Sequence, residues 1–193
     1  SEKLLLLKLS REYFPGTVIF NVSSSNLDET IILAKQAEFV GCDAIIALPP
    51  YYLANLPEEG IIEYFNTISN SVSIPFMLYN FPKHTQNPLT KKILLNVKHF
   101  GIKDSSKDFS LKEFTSNFFS GGDSNIVDSF SYNSKGFVSV QGNFLPEKLV
   151  QLEELLFQGK SDEAKKIQKE IASLSKMYSG ENQIALVKYA ISL

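Results

Sequence analysis

The sequence is poor in the residues that build disulfide frameworks and metal centres. Cys42 is its one cysteine, and His84 and His99 are its two histidines. A lone cysteine excludes an intrachain disulfide framework. It is expected to be buried filler, because free cysteines usually are, and no general base stands beside it in sequence to make it a nucleophile. Two histidines without a carboxylate–histidine ligand cluster disfavour metal chemistry. Long apolar runs are also missing. None reaches the roughly 18 residues that suggest a membrane span, and the longest candidate, Leu4 to Leu9, is interrupted by Lys8. Ser1-Glu2-Lys3 leads into an amphipathic pattern without a small-residue cleavage site, so no signal peptide is expected. The net charge of -2 gives no general reason to expect nucleic acid or an anionic membrane as partner. A reducing, cytoplasmic setting fits this composition. No G-x-G-x-x-G or G-x-x-x-x-G-K-[ST] phosphate turn occurs.

What is present suffices for one sizeable core: 193 residues, 44% hydrophobic and 21% charged. Periodicity predicts a helix over Glu2 to Tyr13, stopped by Pro15-Gly16. The β-branched and aromatic run Thr17 to Val22 predicts a strand. Ser25 or Asn26 can cap the next helix, with Asp28 and Glu29 in its first turn and an end near Gly41. Ala44 to Leu48 predicts a strand closed by Pro49-Pro50, and a helix follows from about Pro57 to about Ser69. Further on come a strand over Pro75 to Tyr79, a helix from near Pro88 to about Val97, and a short strand over His99 to Lys103. Asp108 to Ser116 is expected to be helical and Phe118 to Ser120 a strand. A helix over roughly Ser124 to Tyr132 precedes the last strand, Gly136 to Val140. From Pro146 everything reads helical, with breaks at Gly159 and Gly180.

Strands thus alternate with helices. The strands are short apolar runs without polar alternation, as expected of parallel strands covered on both faces. Each strand–helix pair fills roughly 25 to 35 residues, the size of a βαβ step. An open doubly wound sheet and a closed barrel both suit this pattern. The missing phosphate turns favour the barrel, that is, an α/β fold of the (β/α)₈ TIM type with additional C-terminal helices. Such a barrel has eight strands and typically about 250 residues. The sequence shows six strands and opens on a helix, so the N-terminal strands are expected to be missing from this chain. Residues 1–145 are expected to form the barrel portion, and residues 146–193 a helical extension of the same domain.

Chemistry in a parallel barrel sits where the strands end. Lys103 follows Phe100-Gly-Ile102 directly, so its stem starts inside the expected barrel mouth. It could leave the strand end for solvent or pair with Asp104. Alternatively, burial disfavours the charged form of an amine, and a neutral amine attacks a ketone to form an imine. Tyr79 ends the preceding strand. It could be a rim aromatic packed on Phe81, or a phenol that relays protons. Adjacent parallel strands lie about 4.8 Å apart, so the two side chains could share one substrate.

Gly101-Ile-Lys-Asp-Ser-Ser106, Tyr79-Asn-Phe-Pro82, Pro49-Pro-Tyr-Tyr52, Ser120-Gly-Gly-Asp123, and Gly136-Phe-Val-Ser-Val140 followed by Asn143 and Pro146 resemble the dihydrodipicolinate synthase / N-acetylneuraminate lyase superfamily. Their order and spacing agree over nearly the whole chain. The resemblance implies a (β/α)₈ barrel with C-terminal helices, usually tetrameric, acting on pyruvate or related 2-oxo acids without metal or other cofactor. It makes Lys103 the Schiff-base lysine and Tyr79 the proton-relaying tyrosine. It places Asn80, Phe81, Asp104, Ser105 and the backbone at Val138 around the substrate. Tyr52 matches a tyrosine that in many members reaches a neighbouring subunit's site, although packing between subunits explains it equally well.

Two departures bear on function. The family's Gly-Thr-Thr-Gly-Glu-type carboxylate-binding segment is expected upstream of Ser1. The synthases of the family also place an arginine soon after the tyrosine motif, to grip a second substrate's carboxylate. Here Phe81-Pro-Lys-His-Thr-Gln86 puts His84 at that position. Histidine lacks the planar, permanently charged fork of arginine. It could bond a sugar hydroxyl or simply lie on a surface loop. The expected function is a class I aldolase that cleaves a 2-keto-3-deoxy sugar acid, most like 2-keto-3-deoxygluconate aldolase, to pyruvate and an aldehyde. Dihydrodipicolinate synthase and a non-catalytic 2-oxo-acid-binding barrel are the rivals.

Overall fold

β-branched and aromatic runs bounded by proline, glycine and polar residues pair as parallel strands, and the amphipathic segments between them fold as helices. The computed structural model describes residues 2–178, 180 and 182–192. The chain divides into two compact units, residues 1–117 and 118–193.

The first unit runs α1 (Glu2–Tyr13), β1 (Ile19–Asn21), α2 (Leu27–Val40), β2 (Ala44–Ala47), α3 (Glu58–Asn70), β3 (Phe76–Asn80), α4 (Pro82–Thr85), α5 (Lys91–Asn96) and β4 (Gly101–Asp104), then a 3₁₀ turn over Phe109–Phe114. β1 to β4 pair in parallel in chain order, with Ile19 opposite Ala44, Ile45 opposite Phe76, and Met77 opposite Gly101. Ile45, Ala47, Leu78 and Ile102 are fully buried in these strands. α3 buries Ile61, Phe65 and Ile68, the i, i+4, i+7 spacing of one helical face. Each large apolar side chain so buried contributes about 1.5–3 kcal/mol. Cys42, at the α2–β2 connection, is buried, and burial pushes its thiol up.

Local chemistry sets the helix ends. Of the two candidate caps for α2, Asn26 is the one used: its Oδ1 accepts the Glu29 N–H, and Gly41 closes the helix at φ 86°. The helix expected from near Pro88 starts at Lys91 instead, because Thr90 Oγ1 takes the Ile93 N–H as N-cap. The helix expected over Asp108 to Ser116 is a 3₁₀ turn. Asp108 Oδ1 accepts the Ser110 N–H, a local bond that competes with α-helical pairing.

The second unit holds β5 (Phe118–Gly121), α6 (Ile126–Ser131), β6 (Gly136–Val138), a 3₁₀ turn over Gln141–Asn143, α7 (Pro146–Phe157), α8 (Ser161–Ser175) and α9 (Gln183–Ser192). β5 and β6 are parallel, with Gly121 opposite Val138. Its core gathers Ile126, Leu149, Leu152, Ala164 and Ile171. Asp123 is a buried hub. Its Oδ1 accepts from Ser139 Oγ and from the Val140 N–H at 3.2 Å, and its Oδ2 accepts the Tyr178 hydroxyl at 2.6 Å. Gln168, on α8, donates to the Asp123 carbonyl at 2.6 Å and accepts the N–H groups that open α6. Among the described residues, no helix is long and apolar enough to cross a membrane.

Two outcomes follow from this packing. A Cβ at Gly101 would meet the Asn117 carbonyl oxygen at 2.5 Å and its Cβ at 2.7 Å. Gly101→Ala should therefore lower unfolding free energy in urea titrations by about 1–3 kcal/mol. Burial, and then the bond to Asp123, push the Tyr178 phenol from 10 up to about 12. A raised folded pKa means the stabilisation is complete below pH 10 and fades as pH rises toward 12. Tyr178→Phe should cost about 1.5–3 kcal/mol at neutral pH. Unfolding curves should show that gap unchanged up to the ordinary tyrosine range and closing above it.

Candidate active site

Side chains alternate along a strand, so a register fixes two pairs at once, one on each face. β3 and β4 set Tyr79 opposite Lys103 and Asn80 opposite Asp104. Tyr79 and Lys103 are half-buried. The Lys103 Nζ lies 3.8 Å from the centroid of the Tyr79 ring, over its face. An ammonium so placed is attracted by the ring quadrupole with about 0.5–2 kcal/mol. The same ring stacks on Phe81, with centroids 5.7 Å apart and planes 7° from parallel. Phe81 in turn meets His84 at 4.3 Å. Tyr79 is thus packed on Phe81 and faces the lysine amine at the same time. The turn of α4, which opens on Pro82 as proline suits a first helical position, carries His84 back to this aromatic row. That short helix was not expected from the sequence.

The opposite face is polar and buried. Asn80 and Asp104 are 2% and 3% exposed. Asn80 Nδ2 donates to Asp104 Oδ1 at 3.0 Å, and the Ser106 N–H donates to the same oxygen at 2.8 Å. The Leu89 N–H donates to Asn80 Oδ1 at 3.0 Å, and the Ser105 N–H to the Asn80 carbonyl at 2.9 Å. Asp104 therefore turns to Asn80 and makes no ion pair with Lys103. Among the described residues its Oδ2 has no hydrogen-bond partner. Burial pushes the Asp104 carboxyl above the usual range, against the pull of Ser106 and Asn80. Ser105 is half-buried and directly follows this pair.

Asn87 organises the loops around the site, a role the sequence reading missed. Its Nδ2 donates to the carbonyls of Pro50 and Leu53, each at 2.6 Å, and its Oδ1 accepts the Leu56 N–H at 2.9 Å. It ties the loop after β2, which carries Tyr52, to the turn after α4. An asparagine before proline marks a turn, but nothing in the sequence tells which loop it will hold. Tyr52 itself is 85% exposed. At the ends of β1 and β2, Lys3 donates to the Ser23 carbonyl at 2.7 Å beside a cavity of about 420 Å³ that Asn21 and Tyr51 also line. Val138 belongs to the second unit, where it ends β6 half-exposed, next to Ser139 and Val140 on the Asp123 hub. Among the described residues, no three His, Cys, Asp or Glu side chains group closely enough to hold a metal ion.

The chain is similar to known proteins. The chain is 32% identical to a 4-hydroxy-tetrahydrodipicolinate synthase of Clostridium novyi, over 91% of this chain and 63% of that protein. It is 33% identical to a 2-dehydro-3-deoxy-D-gluconate/2-dehydro-3-deoxy-phosphogluconate aldolase of Thermoproteus tenax, over 78% of this chain and 52% of that one. It therefore spans between half and two thirds of the length of these relatives. Among solved structures, a variant of the Sulfolobus solfataricus 2-keto-3-deoxygluconate aldolase superposes with a TM-score of 0.84 at 30% identity, covering 91% of this chain and 62% of that one. The Ruminococcus gnavus sialic acid aldolase superposes at 0.87 with 28% identity, covering 96% and 66%. The profile of the dihydrodipicolinate synthetase family matches residues 1–193, and the chain belongs to that family.

Proposed function

We propose that this chain carries the Schiff-base centre of a class I, metal-independent aldolase on a (β/α)₈ barrel. It cleaves a 2-keto-3-deoxy sugar acid such as 2-keto-3-deoxygluconate to pyruvate and an aldehyde. The observation that carries the reading is the Lys103 amine set 3.8 Å from the Tyr79 ring on the neighbouring strand. The neutral amine attacks the C2 ketone, and the carbinolamine loses water as the Tyr79 hydroxyl protonates the leaving oxygen. The resulting protonated imine is an electron sink. The Tyr79 phenolate takes the C4 hydroxyl proton, the C3–C4 bond breaks, and its electrons enter the imine to give an enamine. The aldehyde departs. Protonation at C3 and hydrolysis then release pyruvate and restore the amine.

His84 favours the sugar-acid substrate. It occupies the position where synthases of the family place an arginine, and it is exposed on α4 against Phe81. An imidazole can bond a sugar hydroxyl but cannot clamp a carboxylate in two places. The similarity to the Thermoproteus tenax aldolase supports the same choice. A second reading is condensation of pyruvate with aspartate semialdehyde, favoured by the broader coverage of the Clostridium novyi synthase. The exposed Tyr52 suits a homotetramer in which it reaches a neighbouring subunit's site. Phe81 and Ser105 adjoin the substrate's place in this reading, while Asn80 and Asp104 lie on the other face of the two strands.

Borohydride added with pyruvate to the full chain should fix an adduct that peptide mapping places on Lys103. A folded protein whose intact mass shows no adduct would sink the imine assignment. Tyr79→Phe should still form the adduct while kcat for cleavage falls by about 100-fold or more. An unchanged kcat would remove the proton-relay role. Coupled assays with glyceraldehyde and with aspartate semialdehyde separate the two readings. We expect turnover with pyruvate plus glyceraldehyde and little with the semialdehyde.

A further inference from the structure

Asn80 and Asp104 lie on strands whose other buried positions are apolar: Phe76, Met77, Leu78 and Ile102. Desolvating a carboxylate is costly, and Asp104 Oδ2 has no partner among the described residues to offset it. Replacing a buried polar pair by apolar groups of similar volume can be nearly neutral where nothing else depends on it, but here the Ser106 and Leu89 N–H groups would lose their acceptors. Those backbone bonds account for a hydrogen-bond acceptor at each position, though not for the bond that joins the two side chains to each other.

The strand register shows what that bond does. β3 ends at Asn80 and β4 at Asp104, where the ladder of backbone hydrogen bonds gives way to loops. The 3.0 Å bond between Asn80 and Asp104 spans the two strands at that last rung. The same side chains hold the chain on either side. Asp104 Oδ1 takes the Ser106 N–H of the turn after Lys103, and Asn80 Oδ1 takes the Leu89 N–H where the chain returns from α4. A slip of one residue would carry Lys103 to the wrong face of the sheet. Even a small splay of the strand ends would lift its amine off the Tyr79 ring.

We propose that Asn80 and Asp104 are positioning residues: their hydrogen bond on the back of the sheet keeps Lys103 and Tyr79 opposite each other on the front. Neither side chain touches substrate, in contrast to the substrate contact that the family resemblance implies for them. The catalytic consequence rests on reading Lys103 as the Schiff-base lysine, while the geometric consequence stands without it.

The test compares Asp104→Asn, Asp104→Leu, Asn80→Leu and the double leucine variant in the full chain, with two readouts. One is the rate at which borohydride traps the pyruvate imine. The other is the NMR shift of the Lys103 Cε protons, which the Tyr79 ring current displaces upfield while the amine lies over the ring. The leucine variants deprive the Ser106 and Leu89 N–H groups of their acceptors and should melt below the wild type while staying folded at the assay temperature. Measured on folded protein, their imine formation should slow by about 10- to 100-fold, pyruvate affinity should change far less, and the upfield displacement should shrink. The double variant should be no slower than either single one, because both remove one contact. Asp104→Asn keeps an acceptor for Asn80 and Ser106 and should retain the wild-type rate and shift. Leucine variants with wild-type rate and shift would overturn the proposal. So would an Asp104→Asn variant as impaired as Asp104→Leu, which would point to the charge itself. Asn80→Ala, a smaller change, carries the same expectations and decides the matter if a leucine variant does not fold. Absence of any adduct in the wild type would remove the Schiff-base reading and leave the ring-current shift to decide the positioning role.

Discussion

Because side chains point alternately to the two faces of a strand, the pairing of Tyr79 with Lys103 and of Asn80 with Asp104 is one constraint seen from two sides. Everything chemical in the first unit depends on it. The front of the register gives an amine over an aromatic face; the back gives a buried hydrogen bond between two polar side chains. Neither can be moved without the other. The surrounding apolar residues set the distance between the strands, and the polar pair is the part of the interface with a direction. Hydrophobic burial is non-directional. It can press two strands together without choosing which residue faces which.

The same logic explains why the loops here are so heavily bonded through side chains. Parallel strands that stop leave backbone N–H and C=O groups that the ladder no longer satisfies, and buried ones need partners. Asn80, Asn87 and Asp104 supply them in the first unit, taking the N–H groups of Leu89, Leu56 and Ser106. Asp123 does so in the second, accepting the Val140 N–H and the hydroxyls of Ser139 and Tyr178. A short polar side chain can meet a backbone amide at the strand end without occupying the space above it. The loop conformations, and with them the placement of Phe81 and His84 along the aromatic row, are consequences of these bonds.

Much of this was legible in the residues. The six strands among the described residues fall where short apolar runs give way to polar or glycine-rich ends, and α1 spans the twelve residues its periodicity predicts. Gly41, Gly159 and Gly180 stand at positive φ where helix breaks are expected. Two of the misses share a cause: a side chain bonding locally to nearby backbone. Asp108 converts an expected helix into a 3₁₀ turn, and Thr90 moves the start of α5 past Pro88. α4 is four residues long, too short for any periodicity to show. The pairing of Tyr79 with Lys103 could be anticipated from two strand ends placed side by side. The Asn80–Asp104 bond could have been read from the same alternation, one residue further along. Asn87 could not, because its partners lie 31 to 37 residues away and sequence gives loops no register.

A buried carboxylate beside an expected reactive lysine looks at first like its counter-ion. The geometry argues otherwise, and the distinction has chemical weight. A carboxylate facing the amine would favour the ammonium form, which cannot attack a ketone. Alternation along β4 turns Asp104 to the far side, where Asn80 and Ser106 occupy one of its oxygens. Among the described residues of the first unit, no carboxylate lies within ion-pair distance of Lys103. The amine meets instead a ring face, whose attraction for a cation is weak and carries no net charge. Placing the acid immediately after the lysine in sequence is therefore what keeps the two apart in space. An acid two residues along the strand would share the lysine's face, whereas one residue along it can anchor the strand end without holding the proton on the nucleophile.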